Sequence, residues 1–92
     1  MFRIFNVLKK NIKRLMGGDK LRTIDVMIHD GMTKMSLTLK RGSAGDLYVV
    51  LANLSSENKQ YSLFEPEEFD QFVAAAVDIR AELAKQEAPK MS

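Results

Sequence analysis

The sequence predicts an α+β fold: an N-terminal amphipathic helix, a four-stranded antiparallel meander, and a C-terminal helix packed on one sheet face. Three observations carry this. Apolar residues recur every three to four positions near both ends, they alternate with polar residues from Arg22 onward, and Asp30–Gly31 separates two alternating runs as a hairpin turn. The 92 residues, 46% hydrophobic and 28% charged, suffice for one small domain and are too apolar for wholesale disorder.

Wound as a helix at about 100° per residue, residues 2–16 place Phe2, Ile4, Phe5, Leu8, Ile12, Leu15 and Met16 on one arc. Arg3, Lys9, Lys10, Lys13 and Arg14 fall on the opposite arc, and Gly17–Gly18 supplies a stop and a hinge. The stripe can pack on the domain, on a partner or on a membrane surface. From Arg22 the period becomes two. A type I′ turn needs positive φ at both central positions, which Asp-Gly tolerates well, so His29 pairs with Met32. That register sets Ile24 opposite Leu37, Val26 opposite Met35 and Ile28 opposite Thr33. Ile24, Val26, Ile28, Met35, Leu37 and Leu39 then share one face, the expected core side. Thr23, Asp25, Met27, His29, Met32, Lys34, Ser36, Thr38 and Lys40 share the other, expected to be open.

Arg41–Asp46 reads as a second hairpin loop. Leu47–Leu54 is apolar on both faces, as in a strand covered on both sides, which a partner subunit would achieve. Ser55–Lys59 is a polar turn and Gln60–Phe64 a short fourth strand. Glu65-Pro-Glu-Glu68 marks a helix start, with proline in the first turn and carboxylates at the positive end of the dipole. Phe69, Phe72, Val73, Ala76, Ile79 and Leu83 form its stripe, which ends near Lys85. The expected organisation is a basic helix over 1–18, a ββββα domain over 21–85 and a frayed tail over 86–92.

The formal net charge of +2 conceals a gradient. Six cations against Asp19 give residues 1–20 a net +5, residues 21–64 carry +1, and residues 65–92 carry −4. Such asymmetry fits a polyanion ligand or attraction between the two ends. Lys9, Lys10, Lys13 and Arg14 interrupt the apolar run that a secretory signal needs, and no stretch approaches the roughly 20 apolar residues that span a bilayer. With zero cysteines, this fits a cytoplasmic address.

Enzyme chemistry finds little to use. Without cysteine there is no thiolate nucleophile or zinc ligand, and His29 is the lone histidine. Four residues from Asp25 on one strand, it stands about 13 Å away, beyond hydrogen-bond reach. Gly17-Gly18-Asp19-Lys20 lacks the Gly-Lys-Ser/Thr ending of a phosphate loop, and no carboxylate cluster has a histidine beside it. No catalytic residue, metal or cofactor is expected.

Thr33–Lys40, Gly45-Asp-Leu-Tyr-Val-Val-Leu51 and Tyr61-Ser-Leu-Phe-Glu-Pro-Glu-Glu-Phe-Asp-Gln-Phe72 follow a pattern of strand, Gly-rich turn, strand, then strand into helix. This layout, over residues 21–85, resembles the purine-rich-element-binding (PUR) repeat. It is similar also to the single-stranded-DNA-binding domain of the transcriptional coactivator "positive cofactor four" and to the whirly proteins. The resemblance implies single-stranded nucleic-acid binding on an open sheet face through basic and aromatic residues, with dimers paired through the helix. Lys34, Lys40 and Tyr48 stand where such contacts would lie. Double-stranded-RNA-binding domains share a helix–sheet–helix layout, but Glu65, Glu67 and Glu68 stand where their lysine cluster would be.

The leading expectation is therefore a non-enzymatic homodimer that binds single-stranded DNA or RNA with low sequence specificity. Lys34, Lys40, Arg41 and Tyr48 would be its sheet contacts, and Lys9, Lys10, Lys13 and Arg14 auxiliary phosphate contacts. The alternative is a protein-interaction module, and a third option is peripheral attachment to an anionic membrane surface through residues 1–16.

Overall fold

The computed structural model of the protein describes residues 17–91. Four strands, β1 (Asp19–Ile28), β2 (Thr33–Arg41), β3 (Leu47–Ser55) and β4 (Lys59–Phe64), form one antiparallel sheet in chain order. Among the described residues a single helix, α1 (Pro66–Met91), follows. This small α+β fold is ββββα. The amphipathic helix expected over residues 2–16 lies outside the described residues, so the expected helix–meander–helix class is corrected to a meander with one C-terminal helix.

The first hairpin has the register expected of it, with Ile24 opposite Leu37, Val26 opposite Met35 and Ile28 opposite Thr33. Asp30 and Gly31 take φ of 55° and 85°, and the Met32 amide donates to the His29 carbonyl at 3.0 Å, which closes the I′-like turn. His29 also has positive φ, so the ladder stops at Ile28–Thr33 and the loop is one residue longer on each side than expected. β1 starts earlier than the alternation suggested, at Asp19, because a bulge between Lys20 and Arg22 absorbs Leu21 and restores the register.

The sidedness is reversed. One face, here face one, carries Thr23, Asp25, Ser36, Thr38, Lys40, Tyr48, Val50 and Ala52, and it holds the buried residues: Tyr48 is 1% exposed and Lys40 4%. Face two carries the aliphatics expected to form the core, yet Ile24 and Val26 are 49% and 50% exposed. Buried Ser36 has a cross-strand partner on this face, and so does Thr38 beside it. The Ser36 hydroxyl donates to the Asp25 carboxylate, and the Thr23 and Thr38 hydroxyls share a hydrogen bond of 3.1 Å.

The helix start is as the sequence predicts. The Glu65 amide donates to Glu68 Oε1 at 2.8 Å, half of a capping box, with Pro66 in the first turn. Phe69 and Phe72 then pack on Phe64, with ring centroids 5.9 and 5.2 Å away. Beyond that anchor the helix does not lie over the sheet, as expected, but projects from it. Every described residue from Asp70 to Ala88 is exposed. Glu65 alone links the edge strand to the helix, too short a connection to carry about 39 Å of helix back over the sheet centre. The helix continues past its expected end near Lys85, to Met91. Good helix formers from Ala81 to Ala88, with Gln86 donating to Glu82 at 2.9 Å, extend it past its last apolar residue.

Candidate nucleic-acid interface

Antiparallel pairing places Lys40 directly across from Tyr48 on face one. The expected sheet contacts thus meet, but over a different acceptor. Lys40 Nζ donates to the Gly17 carbonyl at 3.1 Å, and the Tyr48 hydroxyl reaches the same oxygen at 3.5 Å. Gly18, with φ of 77°, turns the chain from this point into β1. Burial holds the Lys40 ammonium below the usual lysine pKa, and repulsion from Lys20 pushes it in the same direction. Both side chains therefore serve the lead-in to β1 and offer almost no surface to a ligand.

Lys34 shares face one with Lys40 but sits six residues along β2, about 20 Å away, and is half-buried. Arg41 is exposed at the end of β2, opposite Asp19 on one side and Leu47 on the other. Lys9, Lys10, Lys13 and Arg14 lie outside the described residues. The expected contacts do not form one patch.

What the structure brings together instead is a basic corner where β1 begins and β2 ends. Lys20 and Arg22 stand on the two sides of the β1 bulge, both exposed, with Arg41 on the neighbouring strand. Sequence reasoning did not single out Lys20 or Arg22. The signal was a Lys-Leu-Arg triplet directly after Gly17-Gly18-Asp19, close in the chain to the cation-rich residues 1–16. The corner carries Asp19 as well, so its charge is positive but partly offset.

Other polar sites are structural. Asp25 is engaged by Ser36, and His29 is exposed on the turn. At the end of the sheet away from the basic corner, His29, Thr33, Asn53, Ser55, Asn58 and Gln60 line a shallow polar trough. Ser55 and Asn58 are committed there to closing the β3–β4 turn, with the Ser55 amide donating to the Asn58 carbonyl at 2.8 Å and the Asn58 amide to Ser55 Oγ at 3.1 Å. Among the described residues no three His, Asp or Glu side chains gather as a metal site, and no helix is long and apolar enough to cross a membrane.

No protein-family model, curated protein or solved structure matches this chain.

Proposed function

We propose that this chain is a small, non-enzymatic, cytoplasmic protein that binds nucleic acid as a homodimer, through phosphate contacts and with low sequence specificity. The observation that carries the ligand is the basic corner. Lys20, Arg22 and Arg41 are exposed together, shortly after the residues of the chain that include Lys9, Lys10, Lys13 and Arg14. Stacking has a smaller part than the resemblance to PUR and whirly proteins implies, because Tyr48 is buried and Tyr61, 52% exposed, is the tyrosine with an accessible ring.

The dimer is supported by a separate feature. Face two leaves Ile24, Val26, Leu39 and Leu47 exposed, and α1 leaves Phe72, Val73, Val77 and Leu83 exposed. The radius of gyration, 16.6 Å, exceeds the roughly 12 Å of a compact chain of this length. An acidic helix and a basic corner add charge complementarity between two copies.

Fluorescence anisotropy with a labelled single-stranded 20-mer and its duplex tests the ligand. Three phosphate contacts on a single strand give a log–log salt slope of about −2, or roughly 20-fold weaker binding between 50 and 200 mM salt. Replacing Arg22 and Arg41 by alanine should remove about 1.4 from that slope. Absence of salt-sensitive binding at 50 mM overturns the reading. A stable dimer by light scattering alongside that absence would favour the protein-interaction alternative.

A further inference from the structure

We infer that two copies of this chain join edge to edge through β1, antiparallel about a two-fold axis at Val26, so that their four-stranded sheets become one. The inference rests on the homodimer reading and names the surface that forms the dimer. β1 pairs with β2 on one side only, so alternate backbone N–H and C=O groups along its other side point outward and can take a further strand. At 10 residues it is the longest strand among those described, and residues 19–27 are exposed on both faces.

The two edges of the sheet are not alike. β4 has 6 residues, opens with Lys59 and runs through Glu65 into Pro66 and α1, all features that discourage a further strand. β1 has such features at its start alone, where the bulge lies between Lys20 and Arg22. Residues 23–28 then hold neither proline nor glycine, and Asp25 is their single charge.

The strand that fits this edge is a second β1. Opposed residues of an antiparallel pair share a face, so a two-fold axis normal to the sheet falls on a residue. An axis on Asp25 would set two carboxylates directly against each other, which destabilises a pair. An axis on Ile24 would set Arg22 against Val26 of the second copy. With the axis on Val26, Ile24 meets Ile28 of the second copy, Val26 meets Val26, Asp25 meets Met27, and no like charges are opposed. This ladder of residues 24–28 fits between the bulge and His29, whose positive φ ends the strand. Its aliphatic pairs lie on face two and continue the row of Met35, Leu37 and Leu39 on β2. The two copies of Arg22 then stand about 26 Å apart along the join, so one dimer offers two basic corners to one polyanion.

Disulfide trapping tests the join in this cysteine-free chain. Directly opposed residues have Cα atoms about 4.5–5.5 Å apart, within disulfide range, whereas the two copies of residue 24 would be about 13 Å out of register. Under mild oxidation Val26→Cys should cross-link to itself at least tenfold more than Ile24→Cys or Ile28→Cys does. Mixing Ile24→Cys with Ile28→Cys should restore the cross-link that each lacks alone. Equal cross-linking of Ile24→Cys and Val26→Cys overturns the inference. So does the absence of a Val26→Cys cross-link in a protein that light scattering shows to be dimeric, a result that keeps the homodimer and moves its interface elsewhere. A single copy by light scattering at every concentration overturns the homodimer reading and this join with it. Hydrogen exchange checks the wild-type chain: outward-facing amides within residues 24–28 should be at least tenfold better protected where light scattering shows two copies than where it shows one. Protection unchanged between those concentrations overturns the join.

Discussion

Replacing Gly18 by alanine probes the entry of the chain onto the sheet. Two costs add. The left-handed φ of 77° costs an L-residue about 1–2 kcal/mol. The new methyl also displaces the Tyr48 hydroxyl, whose ring carbon Cζ lies 3.4 Å from the Cβ position. Tyr48 is 1% exposed and has little room to yield, so overpacking adds about 1–3 kcal/mol. The sum is roughly 2–5 kcal/mol, a large part of the stability of a small domain.

The control lies in the same chain. Gly31 and Gly45 share φ of 85° but have nothing within 4 Å of a Cβ, so alanine there incurs the backbone cost alone. Urea unfolding of the three variants at one protein concentration separates the contributions, since m for a chain this small is about 1 kcal/mol/M. Gly18→Ala should lower the midpoint by about 2 M more than Gly31→Ala. Adding Tyr48→Phe removes the struck hydroxyl and should recover part of that excess, as expected of residues in contact. A Gly18→Ala variant within 0.5 M of Gly31→Ala would refute the close passage of the chain over Tyr48.

Lys40 has its pKa lowered in the folded state by burial first and by Lys20 second, so the unfolded chain binds more protons between that lowered pKa and 10.5. Stability from this group should therefore rise with pH across that window, and the wild-type advantage over Lys40→Met in urea midpoints should grow between pH 8 and 10.5. Glu68→Ala removes the acceptor of the Glu65 amide and should cost about 1 kcal/mol by urea unfolding, whereas Glu68→Gln should retain most of it. Val26→Asp, at a half-exposed position on face two, should shift light scattering from two copies to one while leaving far-UV circular dichroism unchanged.

The first hairpin was legible because two independent signals agree on it. The Asp30–Gly31 turn fixes the register, and the alternation of Ile24, Val26 and Ile28 with Met35, Leu37 and Leu39 assigns them to one side. Alternation says which residues share a face, however, not which face the rest of the chain covers. Face one reads as a solvent face because it carries Thr, Asp, Ser and Lys. Its β2 and β3 residues Ser36, Lys40, Tyr48, Val50 and Ala52 are buried all the same, with Ser36 paired to Asp25 across the strands. The end of α1 was misread for a similar reason. An apolar stripe marks what a helix can bury, while α1 beyond Phe72 persists on propensity and local side-chain pairs with nothing of its own sheet beneath it.

The candidate site was less legible at a different link, from residue type to role. Lys40 and Tyr48 were both expected as sheet contacts and stand directly across a strand pair, but they share a backbone carbonyl 23 positions before Lys40 and 31 before Tyr48 as a polar partner. A carbonyl carries no signature in the sequence, so a lysine holding one looks the same as a lysine awaiting phosphate. Lys20 and Arg22 show the converse. Strict alternation would send both to one face, and the bulge at Leu21 sends them to opposite faces, so that two cations bracket one corner. Counting cations therefore misstates this surface in both directions: Lys40 drops out of it, and Lys20 and Arg22 enter. The salt slope is the quantity that registers the difference, because only cations able to displace counterions from a phosphate contribute to it. Neutralising Lys40 should leave the slope nearly unchanged, while neutralising Arg22 should lower it by about 0.7; the opposite ranking would return Lys40 to the interface and dismiss the corner.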